Sequence, residues 1–214
     1  MSVMGPGERS RVARLPGRAA YDRETICGII DEAPLCHVGF VDHGQPTVIP
    51  TLHGRLGDTL VIHGAQRSRL IERAASGEPI CLSFTLLDGL VLARSAFHHS
   101  VNYRSAVVFG AGWRVKEDEE KLAALEAITN RLIPGRWAEA RPPNPRELAA
   151  TAVVAIRIEE ASAKLRTGPA VDDPADLALP IWAGVAPLGT QFGAPEPASD
   201  LAPGTPLPEA LRER

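Results

Sequence analysis

The period of the apolar positions changes several times along the chain, and each change marks an element. Over residues 22–33, Ile26, Ile29, Ile30 and Ala33 recur at helical spacing behind Asp22, which can cap a first turn, and Pro34 ends the run. The pattern predicts a short helix whose apolar face covers a sheet. β-formers resume over 35–41, and Asp42, His43 and Gly44 read as a turn into a second strand over 45–53. Gly57 and Asp58 turn the chain into a third strand over 59–63, completing an antiparallel meander. Pro46 and Pro50 lie in the second strand. Proline cannot donate to a ladder, so this strand is an edge or breaks where its backbone faces a ligand.

Helical spacing returns over 64–77, with Leu70, Ile71, Ala74 and Ala75 on one side. Two strands over 79–86 and 90–96 are predicted next, joined by a tight turn at Asp88 and Gly89, and then a strand over 103–115. Leu122, Leu125, Ile128 and Leu132 predict a helix over 117–132 that packs on the sheet, with acids at its start. A Pro-broken segment around Trp137 and 142–145 leads to a short helix near 146–150. The alternation of Ala152, Val154, Ile156 and Ile158 reads as a last strand. Short strands, tight turns and few helices fit a mainly β (α+β) class: a six- to seven-stranded antiparallel barrel, closed or nearly closed, with flanking helices.

A length of 214 residues, 44% hydrophobic and 23% charged, suits one ordinary globular domain. That domain is expected over 21–188. Residues 1–20 read as a flexible basic arm carrying Arg9, Arg11, Arg14 and Arg18, and 189–214 as a mobile tail with Pro195, Pro197, Pro203, Pro206 and Pro208. A net charge of −3 gives no electrostatic footprint for nucleic acid. Cys27, Cys36 and Cys81 lack the spacing of a disulfide framework or a metal site, so no metal is expected. No apolar run is long enough to span a membrane and none begins the chain, which points to a cytoplasmic protein without a membrane partner.

Candidate chemistry concentrates in two places. His98, His99, Asn102, Tyr103 and Arg104 fall within a few residues and open directly into the apolar run Ala106, Val107, Val108 and Phe109. Such a cluster either lines a ligand site at a strand mouth or forms a polar loop before an ordinary strand. The second place is the start of the predicted helix, where Arg67, Ser68 and Arg69 offer two guanidiniums and a hydroxyl beside outward-pointing N–H groups. A phosphate suits that spot; a solvated helix end is the other reading.

The order RAAYDRETI, LVIHGA, SRLIE, HHSVNYRSAVVFG and WAGVAPL resembles the flavin-binding split-barrel group. Within it, the chain is similar to pyridoxamine 5′-phosphate oxidase-like proteins and their nitroimidazole-resistance relatives. The resemblance spans about 18–188 and implies a split-barrel homodimer with FMN in a cleft between the subunits. It places Val48, Ile49, Pro50 and Thr51 along the flavin ring. The family's short motif after the third strand falls on His63, Gly64 and Ala65, its phosphate contacts on Ser68 and Arg69, and its ribityl or phosphate contacts on Arg104 and Ser105, with Asn102 beside them. His98, His99 and Tyr103 become candidates for orienting a small-molecule substrate or exchanging a proton at the flavin face.

The implied activity is that of an FMN-dependent oxidoreductase acting on an unidentified small molecule, with a nicotinamide as candidate electron donor. The oxidases themselves close with arginine and histidine residues that hold the substrate phosphate. The WAGVAPL ending has no equivalent, so vitamin B6 oxidation is not implied. Two alternatives stand beside this reading. A second branch of the fold binds haem, for which His37, His43, His53, His63, His98 and His99 offer imidazoles. The third possibility is a flavin-binding or interaction module without turnover.

Overall fold

The computed structural model describes residues 6–212. In chain order, β1 (Ala19–Ala20) precedes α1 (Arg23–Glu32), and the strands β2 (Cys36–Asp42), β3 (Gln45–Thr51), β4 (Gly54–Leu56) and β5 (Thr59–Ala65) follow. Helix α2 (Arg69–Ala74), strands β6 (Pro79–Leu92) and β7 (Ser100–Arg114), and helices α3 (Asp118–Leu132), α4 (Arg136–Glu139) and α5 (Pro145–Ala150) come next. The chain continues through β8 (Thr151–Arg157), β9 (Glu160–Arg166) and β10 (Gly184–Pro187) to α6 (Glu209–Arg212). Strands dominate, the registered pairs are antiparallel, and a few helices flank them, as expected for a split-barrel α+β fold.

The described residues form ten strands, where the apolar pattern predicts six to seven. The surplus is short or poor in β-formers: β1, β4 and β10 have two to four residues, and β9 reads EASAKLR. One expected turn is absent, because Asp88 and Gly89 lie inside the single strand β6. Gly89 serves close approach instead. It lies opposite Pro187 of β10, and a Cβ there would meet Val185 Cγ1 at 3.0 Å and the Ala186 carbonyl at 3.1 Å.

The chain divides into two compact units. One takes the chain up to His37 together with Cys81–Phe109 and Ile158–Thr190. Here β7 pairs β9 from Tyr103 to Phe109, β9 pairs β1, and β10 pairs β6. Asp22 accepts from Thr25 N at 2.8 Å and so caps α1, whose Ile26, Ile29 and Ile30 are buried. Part of the segment read as an arm is tied down: Ser10 is buried, and Arg9 Nη2 lies 2.9 Å from Glu160 Oε1. Residues 1–5 of that segment lie outside the described residues.

The other unit takes Val38–Ile80, Gly110–Arg157 and the chain from Gln191 onward. Strand β5 pairs β4 on one side and β8 on the other, and β8 pairs the end of β7. Strand β8 is buried on both faces from Ala152 to Ile156, which explains its unbroken apolar run. Helix α3 covers this layer through Ala124 and Ile128, which pack with Val61, Val115, Val153 and Ala155. Leu132, expected on that face, is exposed, whereas Lys121 is buried and donates from Nζ to the Leu148 carbonyl at 2.5 Å. Helix α5 starts with a capping box between Asn144 and Glu147. No helix of the described residues is long and apolar enough to cross a membrane.

Candidate functional site: the loop between β5 and α2

In the unit that contains β5, the segment from His63 to Arg69 leaves the sheet and enters α2 through a tight turn, with Ser68 N donating to the Ala65 carbonyl at 2.9 Å. Gly64 is required by packing. A Cβ there would stand 2.9 Å from Ile71 Cγ1, while the Ser68 Cβ would lie at 3.8 Å. The glycine therefore lets α2 fold back over the strand end, bringing Ser68 close to the strand. Ser68 is the N-cap residue of α2, yet its hydroxyl makes no capping bond. Burial holds the His63 imidazole below its ordinary value, and its Nδ1 is buried without a hydrogen-bond partner.

Gln66 fixes this loop through its whole amide. Its Nε2 donates to the carbonyls of Ala149 at 2.8 Å and Thr151 at 3.2 Å. Arg114, at the end of β7, donates to Gln66 Oε1 at 2.7 Å and to the Gln66 carbonyl at 3.2 Å. Helix α2 also lies against β7, because a Cβ at Gly112 would run into the Ala74 carbonyl. Loop and helix are thus preorganised by neighbours that the sequence pattern does not mark as functional.

The β2–β3 hairpin adds charge. His43 and Gly44 both have positive φ, 48° and 76°, as a two-residue turn between twisted strands demands. Asp42, at the end of β2, receives Arg73 Nε at 2.7 Å, and Arg69 Nη1 lies 3.7 Å from its other oxygen. Arg69 itself is 60% exposed, so most of its N–H groups face solvent. Strand β3 is an edge strand, which accommodates Pro46 and Pro50. Along it Val48 and Pro50 are exposed, and Ile49 and Thr51 are half-buried.

The remaining predicted residues belong to the unit that contains β9. Arg104 is committed to carboxylates: it pairs Glu32 through Nη1 and Nη2 and donates to Asp88 from Nε at 3.0 Å and Nη2 at 2.7 Å. Hydrogen bonding to Glu32 and then Asp88 raises its pKa further. Ser105 Oγ donates to the Lys164 carbonyl at 3.2 Å. Asn102 is buried, accepting from Arg166 and donating to the Gly168 carbonyl at 3.1 Å. His98 Nε2 lies 3.3 Å from Asp173 Oδ2, and His99 Nδ1 lies 3.0 Å from the Ser95 carbonyl. Tyr103 is half-buried opposite Arg166 in the β7–β9 pair. With Arg94 bonded to Asp172 through backbone and guanidinium, the polar cluster at the start of β7 is fastened to the segment after β9.

Among the described residues no group of three or more histidine, cysteine, aspartate or glutamate side chains could hold a metal ion. Burial pushes the Cys36 thiol up to about 12, which keeps it protonated and unreactive near neutral pH. Sequence reasoning passed over Gln66, Arg114, Asp42 and Arg73 as site residues. Only Arg73 left a local signal, four positions after Arg69 and so on the same helical face.

The family model for pyridoxamine 5′-phosphate oxidase matches residues 22–165. The chain is similar along nearly all its length to the flavocytochrome Anf3 from Azotobacter vinelandii, with 41% identity over 97% of this chain and 96% of that one and a TM-score of 0.89. It is similar as well to the FAD and heme binding protein from Mycobacterium smegmatis, with 44% identity over 92% of this chain and 96% of that one and a TM-score of 0.86. A protein described as a 5-nitroimidazole antibiotic resistance protein from Bacteroides thetaiotaomicron shares 25% identity over 68% of this chain and 85% of its own, at a TM-score of 0.59. No curated protein matches the chain in sequence.

Proposed function

We propose that this chain, which belongs to the pyridoxamine 5′-phosphate oxidase family, is a redox protein that binds a flavin and a haem. The observation that carries the reading is its similarity, above 40% identity and over more than nine-tenths of its length, to one flavocytochrome and one protein that binds FAD and haem. FAD therefore replaces FMN as the flavin of first choice, and haem moves from an alternative to a companion.

The residues of the β5–α2 loop fit a flavin phosphate. Ser68 keeps its hydroxyl out of the helix cap, Arg69 presents an exposed guanidinium, and Gly64 leaves the loop compact beside them. In this reading Ser68 and Arg69 bind the phosphate nearest the ribityl chain. His63, whose pKa burial lowers, and edge residues 48–51 would lie along the ring system. Bound flavin and haem supply electron transfer in steps of one or two electrons. The protein's own part is to fix the phosphate, hold His63 uncharged and keep the loop rigid through Gln66 and Arg114.

A two-fold dimer belongs to the same proposal. Val41 and Val48 on the hairpin are 64% and 65% exposed, and a second copy would cover such apolar positions. A small-molecule substrate and a nicotinamide electron donor remain the proposed partners. The absorbance spectrum of the purified protein tests the cofactors: the account predicts flavin bands together with a Soret band. A colourless protein that takes up neither flavin nor haem would contradict it.

A further inference from the structure

The two arginines of α2 sit four residues apart and so share one face. One carboxylate, Asp42, serves both, at 2.7 Å from Arg73 Nε and 3.7 Å from Arg69 Nη1, and its side chain is only 11% exposed. Two guanidiniums share this one carboxylate, so among the described residues neither has an acid of its own as a partner. Arg73 is gripped through Nε, with Nη2 3.5 Å from His43 Nε2, so Asp42 orients the planar fork while Nη1 stays available. Asp42, His43, Arg69, Glu72 and Arg73 together line an open, polar-walled cavity of about 480 Å³. That volume lies in the range of small-molecule sites, roughly 300–1,000 Å³.

We propose that this cavity takes the second phosphate and the adenosine ribose of a flavin dinucleotide, with Arg73 as the residue that distinguishes FAD from FMN. The inference rests on the reading of Ser68 and Arg69 as the grip on the first phosphate. A diphosphate places its second phosphorus one bridging oxygen from the first, so the second site must adjoin Arg69, and Arg73 does so on the same helical face. Fork-shaped guanidiniums suit phosphate oxygens. Glu72, which would repel a free anion, gains a role in a dinucleotide because a carboxylate can accept hydrogen bonds from ribose hydroxyls. Cations for the phosphates and an acid for the sugar match that half of FAD, and FMN lacks it.

Full-length protein freed of bound flavin can be titrated with FAD, FMN and riboflavin, using quenching of flavin fluorescence. Arg73→Ala should weaken FAD by about tenfold, the loss of one charge-assisted contact, and leave FMN and riboflavin within about twofold of the parent. Arg73→Lys, which keeps the charge without the fork, should recover part of the FAD affinity and provides the reading if Arg73→Ala lowers the melting temperature. Equal losses of FAD and FMN, or no loss of either, would overturn the subsite. Arg69→Ala separates this from the underlying reading. It should weaken FAD and FMN but not riboflavin, and if it spares both phosphorylated flavins the first-phosphate assignment itself fails.

Discussion

Arg104 and Arg69 carry the same side chain and both resemble a family phosphate contact, yet their surroundings differ. Arg104 stands between Glu32 and Asp88, with each of its nitrogens directed at a carboxylate oxygen. Arg69 has a single carboxylate at 3.7 Å, and Arg73 holds the other oxygen of that acid at 2.7 Å. An arginine whose donors are spent on two acids is a brace: to bind an anion it would first have to give up charge-assisted bonds. An arginine held loosely by one shared acid is available. The position of an arginine in a motif marks where a phosphate contact can be, and the acids around it decide whether it is free to make one.

The largest expected effect comes from moving the whole helix that carries the available arginine. Gly112→Val would drive a side chain into the Ala74 carbonyl, which cannot yield without shifting α2. We expect a loss of about 3 kcal/mol in stability, the upper end for overpacking, with flavin affinity falling more than for any single substitution in the loop. Denaturant unfolding and flavin titration of the same variant check both, and retained stability would show that α2 is not seated on β7 as described.

A smaller effect is expected from the loop's brace. Gln66→Ala removes the acceptor for Arg114 and the donor to the Ala149 and Thr151 carbonyls, leaving Arg69 in place but loosening its backbone. The expected loss is about 1 kcal/mol, or roughly fivefold in affinity for phosphorylated flavins, with riboflavin unaffected. An equal loss for riboflavin would mean that Gln66 supports the fold at large rather than the phosphate loop.

The smallest effect concerns pH. Burial lowers the His63 pKa below its ordinary value of 6.5, so below that pH the unfolded chain binds the proton more readily than the folded one. Stability is therefore full above about pH 6.5 and declines as pH falls through the folded value. His63→Asn should flatten that part of the stability profile, measured as unfolding free energy at several pH values. A profile identical to the parent's would show that His63 is not the titrating group.

Much of the fold was legible because burial imposes period. The face of α1, the hairpin at His43 and Gly44 and the apolar run of β8 are all written in the order of residue types. Strand β9 was not, because Ala161, Ser162 and Ala163 carry little β preference and are held by their pairing with β7. Gly89 misled for a related reason: beside Asp88 it reads as a turn, whereas it makes room for β10, a contact distant in sequence. Of the candidate site, Ser68 and Arg69 were visible in one short motif. The acids that commit Arg104 come from 72 and 16 residues away, and Gln66 reaches carbonyls 83 and 85 residues away, so neither arrangement leaves a local trace.

The central claim is that a flavin phosphate sits at Ser68 and Arg69, and a paired titration of Arg69→Ala and Arg104→Ala with FAD and riboflavin tests it most directly. The account predicts that Arg69→Ala weakens FAD by about 10- to 100-fold, the range of a hydrogen bond to a charged group, while riboflavin binding is unchanged. Arg104→Ala should leave the ratio of FAD to riboflavin affinity as it is in the parent. The reverse result, with the ratio preserved in Arg69→Ala and collapsed in Arg104→Ala, would contradict the account and return the phosphate to β7.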